Sequence, residues 1–127
     1  MNKWQALNTH GFSINKMYDN RTRTPQYNAG YNHMLEVMKT LPSLEEMNVD
    51  PEKPMKIDIV FYTIIGVDID NLIKSFLDVL VAHYDLEDDN NFVDIHFRRG
   101  EKFVESKKEG AILFNIENWR INTRYIW

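Results

Sequence analysis

The sequence predicts an α+β fold, a small mixed sheet with two main helices packed on one face. Three observations carry this. Residues 56–65 form a run rich in β-branched and aromatic side chains that begins by alternating polar and apolar positions. Two stretches with apolar residues at helical spacing flank that run. Two shorter strand-like runs follow, which gives the order helix, strand, helix, strand, strand.

Residues 1–23 lack clean periodicity and read as loop with one short strand. Thr24-Pro25 opens the first helix, with the threonine as N-cap and the proline in the first helical position. Tyr27, Tyr31, Met34, Leu35 and Met38 share one stripe, Gly30 weakens the helix slightly, and Pro42 stops it after about Leu41. Residues 42–55 contain Pro42, Pro51 and Pro54 and form a connection. The strand over 56–65 is closed by Gly66. In the second helix Ile69, Leu72, Ile73, Phe76, Leu77, Leu80 and Val81 keep the i, i+3, i+4, i+7 spacing, with Asp68 or Asp70 as cap and an end near Tyr84. Residues 87–91 are polar and turn-like, 92–98 and 111–116 read as strands, and 102–110 reads as a charged hairpin connection between them.

The 127 residues fit one domain over 1–127, and 43% hydrophobic content is enough for a single core. Without cysteine there are no disulfides and no thiolate metal sites, which agrees with a reducing, cytoplasmic setting. No apolar run approaches the ~18 residues of a membrane span, and Met1-Asn2-Lys3-Trp4 lacks a secretory hydrophobic stretch. The net charge of -4 argues against a simple polyanion binder. Its distribution is uneven. From Asp68 to Asp94 eight acids accompany one base, Lys74, whereas from His96 onward seven bases accompany four acids.

The acidic block has a candidate chemistry. Asp68 and Asp70 lie where strand gives way to helix, and side chains two apart in extended backbone share a face. Lys74 follows Asp70 by one helical turn, and Asp89 stands at the entrance of the next strand. Crowded carboxylates repel unless a cation joins them, and an all-oxygen donor set suits Mg²⁺ or Mn²⁺. Such an ion activates water and polarises a phosphoryl oxygen, and a lysine offsets the charge that builds on the phosphate. A plainer reading competes. An aspartate before a helix is usually a cap, an Asp–Lys pair at i, i+4 is usually a surface ion pair worth ~0.3–0.5 kcal/mol, and a run such as Glu87-Asp88-Asp89-Asn90-Asn91 is usually a solvated loop. Spacing alone favours that plainer reading.

The string Asp68-Ile69-Asp70-Asn71-Leu72-Ile73-Lys74, an amphipathic helix, then Asp88-Asp89-Asn90-Asn91-Phe92-Val93-Asp94 resembles the RusA family of Holliday junction resolvases, whose pattern is Asp-x-Asp-Asn-Leu-x-Lys, a helix, an Asp-Asp pair and a strand. Upstream, Ser13-Ile14-Asn15 with Tyr18 and Arg23 is similar to the family's early Ser-x-Asn segment. The resemblance implies a RusA-like fold and a small, homodimeric, magnesium-dependent endonuclease that nicks four-way DNA, in a bacterial or phage-infected cell. It implies that Asp68, Asp70 and Asp89 are metal ligands, that Lys74 is the catalytic lysine, and that Asn71 supports the carboxylates, with Asp88 the weaker member of its pair. Two departures stand out. Thr63-Ile64-Ile65-Gly66-Val67 carries no base where family members have arginines, and the prolines before the Ser-x-Asn segment are missing.

DNA binding needs cations to meet phosphate. The candidates are Lys16, Arg21, Arg23, Arg98 and Arg99, with Lys102, Lys107 and Lys108 in the charged connection. Tyr18, Trp119, Tyr125 and Trp127 are candidates to stack on exposed bases, and the segment from Trp119 to Trp127 is a candidate dimer contact. His10, His33, His83 and His96 show no ligand spacing and read as structural or exposed. The expected function is therefore magnesium-dependent resolution of branched DNA. The alternatives are a catalytically silent RusA-fold binding protein of phage or prophage origin, and a metal-dependent phosphodiesterase with another substrate.

Overall fold

A computed structural model describes residues 4–13, 18–19 and 22–120, with backbone alone at 18–19 and 22–23. In chain order the elements are β1 (Gln5–Leu7), β2 (Tyr18–Asp19), β3 (Thr22–Arg23), α1 (Pro25–Met38), β4 (Met55–Tyr62), α2 (Asp70–His83), β5 (Phe92–Arg99) and β6 (Ala111–Asn118). Single 3-10 turns lie at Asp89–Asn91 and Lys107–Glu109.

The expected α+β class holds. Four strands form one mixed sheet in the order β1-β6-β4-β5, and β2 pairs with β3 separately. The β4–β5 pair is parallel, with α2 as the crossover between them, while β6 runs antiparallel to both β4 and β1. The connection over 102–110 is not a hairpin, because β4 stands between β5 and β6. The chain leaves β5 through Gly100, which donates to Phe61 O, and Val104 donates to Thr63 O before the chain crosses to β6.

Strand alternation decides where the core sits. Met55, Ile57, Ile59 and Phe61 of β4 point to one face and are buried there with Ile112, Phe114 and Ile116 of β6 and Leu7 of β1. Met34 and Met38 of α1 and Leu72, Phe76, Leu77 and Leu80 of α2 pack into the same cluster. Both helices therefore cover one face of the sheet. Phe76 meets Phe61 at 6.2 Å and Phe114 at 5.6 Å between ring centroids, which ties the middle of α2 to the two central strands.

The α1 start is as expected. Thr24 Oγ1 accepts from Tyr27 N–H at 3.2 Å and Pro25 occupies the first turn. The helix ends at Met38, three residues earlier than expected, and Lys39 and Thr40 complete a turn. The strand over 56–65 is shorter too. β4 stops at Tyr62 and residues 63–69 loop over to α2. Gly66 has φ +88°, a left-handed turn that a side chain would strain.

A short strap over residues 9–13 fastens that loop. His10 Nε2 accepts from Ile64 N–H at 3.1 Å, and Ser75 Oγ of α2 donates to Phe12 O. The Phe12 ring lies against Gly30 of α1, where a Cβ would come within 2.5 Å of it. The glycine that weakens α1 by propensity is thus what lets the strap cross it.

Candidate functional site

The site is built around α2 and the turn that follows it. Its first residue, Asp68, lies in the loop before the helix. The formal cap position is Ile69, which makes no side-chain cap bond, and Asp68 Oδ1 accepts from Asp70 N–H at 3.0 Å. Asp68 thus does the capping work that the plainer reading assigns to it. Asp70 is the first residue of α2 and is exposed.

Lys74, one turn on, reaches toward the far end of the helix. Its Nζ lies 3.5 Å from Asp78 Oδ1 and 3.8 Å from Asp89 Oδ2. Tyr27 of α1 is buried and donates from its hydroxyl to Asp78 Oδ2 at 2.9 Å. A continuous polar chain therefore runs from Tyr27 through Asp78 and Lys74 to Asp89, spanning α1, α2 and the turn before β5. Lys74 is half exposed, so each ion pair is worth at most about 1 kcal/mol.

Asp89 reaches Lys74 because α2 ends in a left-handed turn. Asp85 has φ +54°, Leu86 N–H donates to Val81 O at 2.9 Å and Asp85 N–H to Ala82 O at 3.3 Å. This pattern of bonds reverses the chain at a helix end. Residues 86–91 then run back beside the helix. Within them the two aspartates divide their tasks. Asp88 accepts from Asn90 N–H at 2.7 Å and from Asn90 Nδ2 at 3.2 Å and so caps the 3-10 turn. Asp89 is left to face Lys74. Tyr31, Lys74, Asp78, Val81, Glu87, Asp88 and Asp89 line a cavity of about 270 Å³.

Of the four residues singled out by the motif, Lys74 and Asp89 come together. Asp68 and Asp70 stand at the start of α2 and do not line this cavity. The oxygen-only donor chemistry suits Mg²⁺, but among the described residues no three His, Asp or Glu side chains are arranged to hold a metal ion. Among the described residues the carboxylate nearest Lys74 is Asp78, which the motif does not include. Its i+4 spacing from Lys74 was visible in sequence, whereas Tyr27, fifty-one residues away, carried no such signal.

The basic candidates scatter. Lys16, Arg21, Tyr125 and Trp127 lie outside the described residues, as do the side chains of Tyr18 and Arg23. Ile14 and Asn15 of the Ser-x-Asn segment are also outside them. Arg98 and Arg99 alternate to opposite faces of β5. Arg98 is exposed on the helix-free face, where it lines a shallow cavity with Trp4, Asp58 and His96. Arg99 Nη1 donates to Thr63 Oγ1 at 3.4 Å, which sets a guanidinium against the loop that leads to Asp68. The parallel β4–β5 pair thus brings a base, thirty-six residues downstream of Thr63, to the loop whose own residues have none. Lys102, Lys107 and Lys108 are exposed, and Trp119 is 37% exposed. His10 is buried and structural, and burial lowers its pKa from the ordinary 6.5.

In comparison with known proteins, no family model matches the chain and no curated protein is significantly similar to it.

Proposed function

We propose that this protein is a divalent-metal-dependent endodeoxyribonuclease of RusA type that acts on branched DNA. The observation that carries the reading is the 3.8 Å approach of Lys74 to Asp89. These two residues are fifteen apart in sequence and on different elements, yet they meet, as a shared role in one site requires. Asp70 sits one turn from Lys74 on the same helix. Asp68, Asp70 and Asp89 are the residues that would hold Mg²⁺ or Mn²⁺, which when bound would supply a hydroxide-like water and neutralise phosphate charge. As placed, the three do not converge. Lys74 is the residue that would meet the scissile phosphate, where its charge is wanted most in the transition state. Among the described residues, Arg99 is the cation best placed to hold the DNA backbone beside the Asp68 loop.

The test is a nicking assay on a synthetic four-way junction and a matched linear duplex in Mg²⁺ and in Mn²⁺. The expected result is junction-selective cleavage that falls roughly a hundredfold or more in Asp70→Asn, Asp89→Asn and Lys74→Ala, with melting temperatures within a few degrees of the parent. Absence of cleavage by the parent protein in both metals would sink the nuclease reading and leave the silent binding protein. Equal cleavage of the linear duplex would mean another phosphodiester substrate.

A further inference from the structure

We propose that the cavity on the helix-free face of the sheet binds a guanine nucleotide, with the base stacked on Trp4 and recognised by Asp58. This does not depend on the nuclease reading, because the cavity lies on the face away from α2, the helix that carries Lys74. Along β4 the core takes Ile57, Ile59 and Phe61, so Asp58 and Val60 point the other way. The parallel register sets Asp58 beside His96 and Val60 beside Arg98 of β5. Leu7 of β1 is turned to the core, so the same alternation puts Ala6 and Trp4 on the open face. β1 lies beyond β6, and the Trp4 side chain crosses β6 to wall the cavity with Asp58, Val60, His96 and Arg98. The enclosed volume is about 370 Å³, within the range of small-molecule sites.

Each part of the lining matches a part of one ligand class. Trp4 is 39% exposed and supplies an indole for a base to stack on, with Val60 as the apolar floor. Arg98 donates from Nη1 to Arg99 O at 2.9 Å, and among the described residues the rest of its guanidinium has no partner, which leaves a fork of N–H groups for a phosphate. The identity of the base follows from the acceptors. A carboxylate only accepts, and Asp58 Oδ2 lies 3.7 Å from Lys56 Nζ while Oδ1 has no partner among the described residues. Asn115 is the neighbour of Asp58 on β6 and is buried. Its Nδ2 donates to Glu117 Oε1 at 2.8 Å, but among the described residues its Oδ1 has no hydrogen-bond partner. Two adjacent residues thus hold unsatisfied acceptors, and buried acceptors need donors. Guanine is the standard base that presents two neighbouring donors, N1–H and N2–H, on its pairing edge. Adenine and cytosine set an acceptor beside a donor there, and the single donor of uracil or thymine stands between two carbonyls. Either of those edges would put lone pairs against Asp58. A free nucleotide and a guanine exposed on a single strand share this chemistry.

The test is calorimetric titration of the full chain with guanosine monophosphate (GMP), AMP, CMP, UMP and guanosine, with far-UV circular dichroism to confirm that each variant folds. GMP should bind saturably, and the other three nucleotides roughly tenfold or more weaker, because a mismatched edge leaves polar groups unpaired. Guanosine should bind more weakly than GMP, and Arg98→Ala should erase that difference. Asp58→Asn sets a donor beside an acceptor and should remove the preference for GMP over AMP. Trp4→Ala should weaken every nucleotide, and Trp4→Phe should restore most of the affinity. A thymine oligonucleotide with a 5′-phosphorylated guanine at its end separates the two sources. Tighter binding than GMP assigns the site to a DNA strand and weaker binding to a free nucleotide, and both uphold the guanine contact. No saturable binding of GMP overturns the proposal. So do equal affinities for the four nucleotides, or GMP binding unchanged in folded Asp58→Asn and Trp4→Ala.

Discussion

His10 shows how one buried side chain can make the whole molecule sensitive to acid. At 6% exposure it accepts the Ile64 N–H bond through Nε2, which requires that nitrogen to be unprotonated. Desolvation, the largest cause, lowers its pKa below 6.5, and Lys107 adds to the lowering, while a bond to the Gly11 backbone opposes it. The unfolded chain therefore takes up a proton here before the folded one does. The contribution to stability is complete above the unfolded value of 6.5 and is lost as pH falls through the folded value. His83, also lowered by burial, acts with the same sign. The informative quantity is thus a difference. His10→Gln keeps an acceptor for Ile64 and does not titrate. Urea unfolding between pH 7.5 and pH 5 should show a steeper loss for the parent protein than for this variant. Parallel curves would show that His10 is not the group responsible. Sequence suggested only that His10 is structural or exposed, because its partner lies fifty-four residues away.

At the scale of elements, the two ends of α2 determine the shape of the site. The start is capped by Asp68 and the end is turned by Asp85 at φ +54°. A left-handed backbone is a cost to any residue with a Cβ, modest for aspartate and least for glycine. Asp85 is exposed, and among the described residues its carboxylate has no hydrogen bond or ion pair. Asp85→Gly should therefore raise unfolding stability by about 0.5–1 kcal/mol in denaturant titrations without altering the approach of Asp89 to Lys74. A loss of stability would mean that the aspartate side chain matters in its own right. Local signals made much of this legible in advance. The Thr24-Pro25 start, the α2 stripe and the end near Tyr84 each depend on residues within a turn or two of one another. The left-handed position was not legible, since no glycine marks it. Nor was the return of residues 86–91 along the helix, which is what separates Asp89 from Asp68 and Asp70 in their surroundings.

The molecule as a whole is held by pairings that sequence order does not suggest. Neighbouring runs such as β5 and β6 invite a hairpin, yet β4 offers an edge on each side, and β6 takes the antiparallel one while the α2 crossover carries β5 to the other. The result is that β6, the last strand among the described residues, lies inside the sheet and not at its rim. Its neighbour there is β1, with Leu7 opposite Ile112 and Gln5 opposite Phe114. On a ribosome these partners emerge in the least convenient order. At roughly 5–20 residues per second, residues 5–7 wait several seconds for 112–114, and through the second half of that interval Ile57, Ile59 and Phe61 lack the strand that packs beside them. Nascent chains arrested with residues up to 105 outside the exit tunnel should be cut readily by a nonspecific protease, and those arrested with residues up to 120 outside should resist it. Protection already present in the shorter chains would show that β4, α2 and β5 fold without waiting. If the expected order holds, the interval between the first strand and the sixth is when this protein most needs a chaperone that binds exposed apolar chain.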